Sequence, residues 1–136
     1  MQPSYAINEG EINMNKNYPS SIDLFYDANE GFMKGSLSKR IYTPYKNYKE
    51  KPVVVKNEKE AALLFIQKCD FAINDLSLYL DLFDEDQKIV DMLNFYKKEY
   101  DTAKKNYLEK YGPLTQCQIT NTYKWNEEPF PWEKER

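Results

Sequence analysis

Between residues 62 and 83, apolar side chains recur at intervals that alternate four and three: Ala62, Ile66, Cys69, Ile73, Leu76, Leu80 and Phe83. That rhythm puts all of them on one side of an α-helix and on no single face of a strand. Leu63, Phe65, Ala72 and Tyr79 widen the seam on its flanks. Asn57, with Glu60 three residues later, has the form of a capping box and marks the helix start. A second seam follows at Ile89, Leu93, Tyr96, Tyr100, Ala103 and Tyr107. Between the two lies Phe83-Asp84-Glu85-Asp86, where Asp84 and Gln87 offer a second N-cap and its partner. Gly112 is expected at a left-handed cap, and Pro113 prevents the helix from continuing. A short turn between two seams of matched length predicts an all-α fold: an antiparallel two-helix hairpin over residues 57–112, with extended, largely irregular N- and C-terminal arms.

The remaining segments lack a period. Residues 1–21 are polar and Asn-rich, which predicts a disordered or loosely held start. Residues 22–56 mix apolar residues with turn formers and read as an irregular docking arm, with Gly31, Phe32, Gly35, Tyr42, Pro44 and Tyr45 as its docking candidates. Val53-Val54-Val55 is long enough only for a very short strand. Residues 113–136 form an aromatic, proline-containing tail, in which Pro129 and Pro131 favour extended backbone. Trp125, Pro129, Phe130, Pro131 and Trp132 are its docking candidates. Two helices bury one face each, so the arms, self-association or a partner must complete the core. The interface candidates along the seams are Ile66, Cys69, Ile73, Leu76, Leu80, Ile89, Leu93, Tyr96, Tyr100 and Tyr107.

Composition speaks against catalysis. The chain has no histidine, the commonest general base and metal ligand. Cys69 falls inside the first seam and reads as a small buried hydrophobe, while Cys117 stands in a polar stretch. The carboxylates of the helices, Asp70 and Asp75 among them, lie off the seam and are expected on a solvated face. Neither a catalytic, metal nor cofactor site is predicted, and no small-molecule substrate. With 19 basic and 22 acidic residues and no basic stripe, nucleic acid is not an expected partner. No apolar run is long enough to span a bilayer, and the first residues lack a signal pattern, so cytosolic synthesis is the expectation. The 12 tyrosines, 7 phenylalanines and 2 tryptophans suit partly wet interfaces.

Three stretches carry a family resemblance: FAINDLSLYLD (71–81), YLEKYGPLT (107–115), and Trp125 through PFPWE (129–133). In that order they resemble the spore coat protein CotJB family over residues 57–133, with Phe130 where the family commonly repeats tryptophan. The arm EGFMKGSLSKRIYTPY (30–45) is similar to the Gly-x-x-x-Gly-Thr signature of the CotJA family, with Ser36 in place of Thr. The resemblance implies a non-enzymatic assembly protein of the spore coat, synthesised in the mother-cell cytoplasm. Its implied partners are a manganese-catalase-like coat protein, other small coat proteins and a second copy of itself. Two further readings stay open: a homo-oligomer of paired hairpins with no catalase partner, and a non-catalytic enzyme subunit.

Overall fold

A computed structural model describes residues 24–133. They form three helices, α1 (Ala28–Lys34), α2 (Glu58–Leu80) and α3 (Gln87–Tyr111), and no strand. The proposed disordered start, residues 1–21, lies outside the described residues, as do the last three positions of the tail. Val53-Val54-Val55 is not a strand, and Val54 is 83 % exposed.

α2 starts where its cap predicts. Asn57 has extended backbone, and its side-chain oxygen accepts from the Glu60 amide at 2.8 Å. Glu60 reaches back one residue further than the standard box, accepting from the Lys56 amide at 2.7 Å. The helix ends at Leu80, so Phe83 leaves the seam and stands 55 % exposed beside the ring of Tyr79. α3 begins later than the Asp84 cap predicts, with Asp86 at the N-cap position. The Asp86 carboxylate makes no cap bond and accepts from the Tyr79 hydroxyl at 3.2 Å. Gly112 has φ 105° with ψ −177°: a positive φ as expected, yet an extended ψ outside the left-handed helical region.

α2 and α3 pack along their lengths. Glu58 at the start of α2 pairs with Lys110 at the end of α3 at 2.8 Å, while Tyr79 near the end of α2 meets Asp86 at the start of α3. Between these ends Ala62, Ile66, Cys69 and Leu76 pack with Ile89, Met92, Tyr96, Ala103 and Tyr107, all buried. Ile73, Leu80, Leu93 and Tyr100 border that core and are partly exposed.

The stretch read as an irregular arm contains α1. Asp27 caps it by accepting from the Glu30 amide at 2.9 Å, and Gly35 ends it at φ 82° in the left-handed region. The helix has only seven residues with a glycine in the middle, which costs roughly 1 kcal/mol relative to alanine, and so it shows no apolar period. Tertiary contact holds it instead. Phe25, Ala28 and Leu37 are buried with the core of α2 and α3, and Phe25 pairs with Ser38 in an isolated antiparallel bridge. Phe32 meets Phe71 edge-on at 5.8 Å, and Phe25 meets Tyr79 at 5.1 Å. The arm thus supplies part of the cover that the two long helices lack.

Candidate interaction surfaces

Lys68, Phe71, Asp75 and Tyr79 form a second stripe on α2, again spaced three and four, and the segment around α1 lies on it. Three polar side chains fix the docking. The hydroxyl of Tyr96 accepts from the Ala28 amide at 3.0 Å, so a residue of α3 satisfies a first-turn donor of α1 that has no partner within its own helix. Asp75 accepts from the Leu37 amide at 2.9 Å. Lys68 donates to the Asn29 side chain at 2.8 Å, and burial pulls the lysine below its ordinary pKa. Asp75 therefore departs from the expected solvated face, whereas Asp70 is exposed as expected. The signal available for this stripe was its spacing. Lys68 at its start and Asp75 within it hid its role.

The two glycines of the arm do different work. A Cβ on Gly31 would stand 2.7 Å from Leu37 Cδ1 and 3.0 Å from the Leu37 Cα, so only hydrogen fits between α1 and the returning chain. Gly35 has open space around it and is required for its positive φ alone. Of the docking candidates in the arm, Gly31 is buried within its own chain, Phe32 is partly buried on Phe71, and Tyr42 is half-buried. Gly35, Pro44 and Tyr45 are exposed.

Beyond Leu37 the arm opens into a groove of about 490 Å³ lined by Lys34, Ile41, Tyr42, Tyr45 and Tyr48. Lys34 anchors its floor: the ammonium donates to Glu50 at 2.7 Å and lies 4.9 Å from the centre of the Tyr42 ring. The bond to Glu50 raises the lysine pKa, and the same bond holds the Glu50 carboxyl below its ordinary value. Burial, followed by a hydrogen bond donated to Glu50, raises the Tyr42 phenol.

The tail forms a separate aromatic cluster. Phe130 and Trp132 stack at 4.9 Å with planes 3° apart, and Trp125 closes on Trp132 at 5.8 Å. A polar cleft of about 200 Å³ separates this tail from the end of α3, with Tyr107, Tyr111, Trp125 and Pro131 among its walls. Trp125, Phe130 and Pro131 are partly buried, while Pro129 and Trp132 are exposed. Of the seam candidates, Ile66, Cys69, Leu76, Ile89, Tyr96 and Tyr107 are buried inside the chain. A neighbour can reach them only by displacing α1 or parting the long helices.

Among the described residues no group of three or more His, Cys, Asp or Glu is placed to hold a metal ion, and no helix is long and apolar enough to cross a membrane. Burial pushes the Cys69 thiol up to about 12, which leaves it protonated and unreactive at neutral pH. Cys117 is exposed, with its sulfur 3.3 Å from the Thr115 hydroxyl.

The described residues form a small all-α fold whose buried polar groups tie its own segments together and whose exposed rings lie on an arm, a tail and, at Phe83, the turn between the long helices. The CotJB protein family matches residues 60–133, more than half of the chain. The chain belongs to that family, a structural family of the spore coat. No curated protein and no solved structure matches it.

Proposed function

We propose that the chain is a non-enzymatic assembly protein of the spore coat, docking to a manganese-catalase-like coat protein and to other small coat subunits. The observation that carries this reading is the division of its aromatic and aliphatic surface. The segment around α1 covers part of the core, while Ile41, Tyr45 and Val54 on the arm, Leu82 in the turn, and Ile119 and Trp132 on the tail stand 68–83 % exposed, all of them outside the helices. Large exposed apolar residues on the arm, on the tail and around the turn at Leu82 and Phe83 support contact with neighbours. In this reading residues 57–112 act as an antiparallel hairpin scaffold, residues 22–56 as one docking arm and 113–136 as the other. The Gly31-x-x-x-Gly35-Ser36 signature serves to fold the arm onto the scaffold, which leaves Tyr42, Pro44 and Tyr45 for the neighbour. Mother-cell synthesis followed by incorporation in the coat belongs to the same proposal.

Co-expression with the catalase-like coat protein, then size-exclusion chromatography, tests it. Co-elution is expected, weakened by Tyr45→Ala or Trp132→Ala with helicity intact. Separate elution at micromolar concentrations overturns the catalase partner.

A further inference from the structure

Among the described residues Lys68 is the only buried charged side chain, 8 % exposed. Its neighbours three and four positions away along α2 are Leu64, Phe65, Phe71 and Ala72, all apolar. No carboxylate of the described residues pairs with it. Its hydrogen bond goes to a neutral group, Oδ1 of Asn29 on α1, at 2.8 Å. Other lysines behave differently: hydrogen bonds to Glu50 and Glu58 hold Lys34 and Lys110 charged and raise their pKa. Burial pulls Lys68 the opposite way, opposed by the charge of Asp27. A desolvated lysine without a paired charge gives up its proton readily, and the neutral amine is a nucleophile.

Its partner is an electrophile. The Cγ of Asn29 lies one bond beyond the oxygen that Lys68 touches, and its amide nitrogen can depart as ammonia. The two side chains are held together from both sides, since Tyr96 fixes the Ala28 amide and Asp75 fixes the Leu37 amide. Groups so held react as if at concentrations of about 10⁵ M or more. We propose that Lys68 and Asn29 join in an isopeptide bond, formed by the chain on itself, that ties α1 to α2. The neutral Nζ attacks Cγ and a C–N bond forms. The Cγ–Nδ2 bond breaks, and one proton passes from Nζ to Nδ2 through the carboxylate of Asp27, the N-cap of α1. Ammonia leaves and the carbon keeps its oxidation state, so no oxidant or cofactor takes part. The product replaces a buried amine, costly to charge, by a neutral amide. It also closes residues 29–68 into a covalent loop, which restricts the unfolded chain as a disulfide does. This is one modification per chain, not turnover, and it leaves the exposed rings of the arm and tail as they are.

Mass spectrometry of the purified full chain under denaturing conditions tests it. The chain is expected to be lighter than its sequence by one ammonia, and its protease digest to contain one branched peptide in which Asn29 is joined to Lys68. The branched peptide decides, because cyclisation of Gln2 after loss of Met1 removes the same mass. Asn29→Ala and Lys68→Arg are each expected to abolish it. Asp27→Asn keeps an oxygen for the helix cap but cannot relay a proton, and is expected to slow the linkage about a hundredfold. A rate equal to the parent's overturns the relay through Asp27. A wild-type chain that still yields separate, unmodified Asn29 and Lys68 peptides after prolonged incubation overturns the bond itself. That result needs no variant to fold, and it leaves docking to other coat proteins untouched.

Discussion

The hydroxyl of Tyr96 accepts a hydrogen bond from the amide of Ala28, 68 residues earlier in the chain, at 3.0 Å. Both residues are fully buried, so no water replaces the bond if it is lost. Tyr96→Phe keeps the ring and removes the hydroxyl that accepts from Ala28. It is expected to lower unfolding free energy by about 1–3 kcal/mol, the cost of an orphaned buried amide. Denaturant titration of the two proteins measures this. A difference near zero shows that α1 does not depend on α3.

Gly31 and Gly35 separate contact from conformation. Gly31→Ala drives a methyl into Leu37, whose backbone as well as side chain stands in the way, and is expected to cost about 1–3 kcal/mol. Gly35→Ala meets nothing but must hold φ 82°, for about 1–2 kcal/mol. Gly35→Asn is expected to recover part of that loss, since asparagine tolerates the left-handed region, while Gly31→Asn is expected to be worse than Gly31→Ala. Thermal unfolding of the four variants gives the ranking.

Asp75 anchors the returning chain through the Leu37 amide at 2.9 Å. Asp75→Ala is expected to lose about 1–3 kcal/mol, whereas Asp75→Asn keeps an acceptor oxygen and loses less. Asp70→Ala, five residues earlier on another face of α2 and exposed, is expected within about 0.5 kcal/mol of the parent. Equal effects at 70 and 75 contradict the assignment of Asp75 to the arm.

Alkaline pH tests the buried thiol. The folded state raises Cys69 from an ordinary 9.0 to about 12, and burial raises the Tyr96 phenol as well. Between these limits the unfolded chain has lost protons that the folded chain retains, so stability falls as pH rises. The contribution is fully present below about pH 9 and is lost on the way to about 12. Each group adds a slope of up to about 1.4 kcal/mol per pH unit. Cys69→Ala, though less stable at neutral pH, is expected to show the shallower decline. Parallel pH profiles of the two proteins exclude Cys69 from the alkaline loss.

The long helices were legible because a seam repeating every three and four residues admits only one regular structure, and Asn57 with Glu60 located the start of α2. The all-α class followed from the same pattern. α1 was not legible, although Asp27, Glu30 and Gly35 carry its cap and stop, because seven residues around Gly31 have no intrinsic helical preference to display. Its helix exists through Tyr96, Asp75 and Lys68, polar residues on the other helices whose partners lie 38–68 positions away. The Asp84 cap misled for a related reason. Four acidic residues crowd the turn, and the choice of Asp86 was made by chain geometry and by Tyr79. Among the docking candidates that ring content singled out, Tyr45 and Trp132 are exposed, while Phe32, Trp125 and Phe130 are partly buried. It did not reveal that Gly31 packs inside its own chain.

The arm is divided in packing: Phe25, Ala28, Gly31 and Leu37 are buried with the core, while most of residues 41–54 is exposed, the part that the proposed function gives to neighbours. Amide hydrogen exchange of the isolated chain tests that division directly. The Ala28 and Leu37 amides, bonded to Tyr96 and Asp75, are expected to exchange as slowly as the central amides of α2, while those of residues 41–54 exchange fast. Exchange at Ala28 and Leu37 as fast as at residues 41–54 contradicts it and returns the whole arm to the surface.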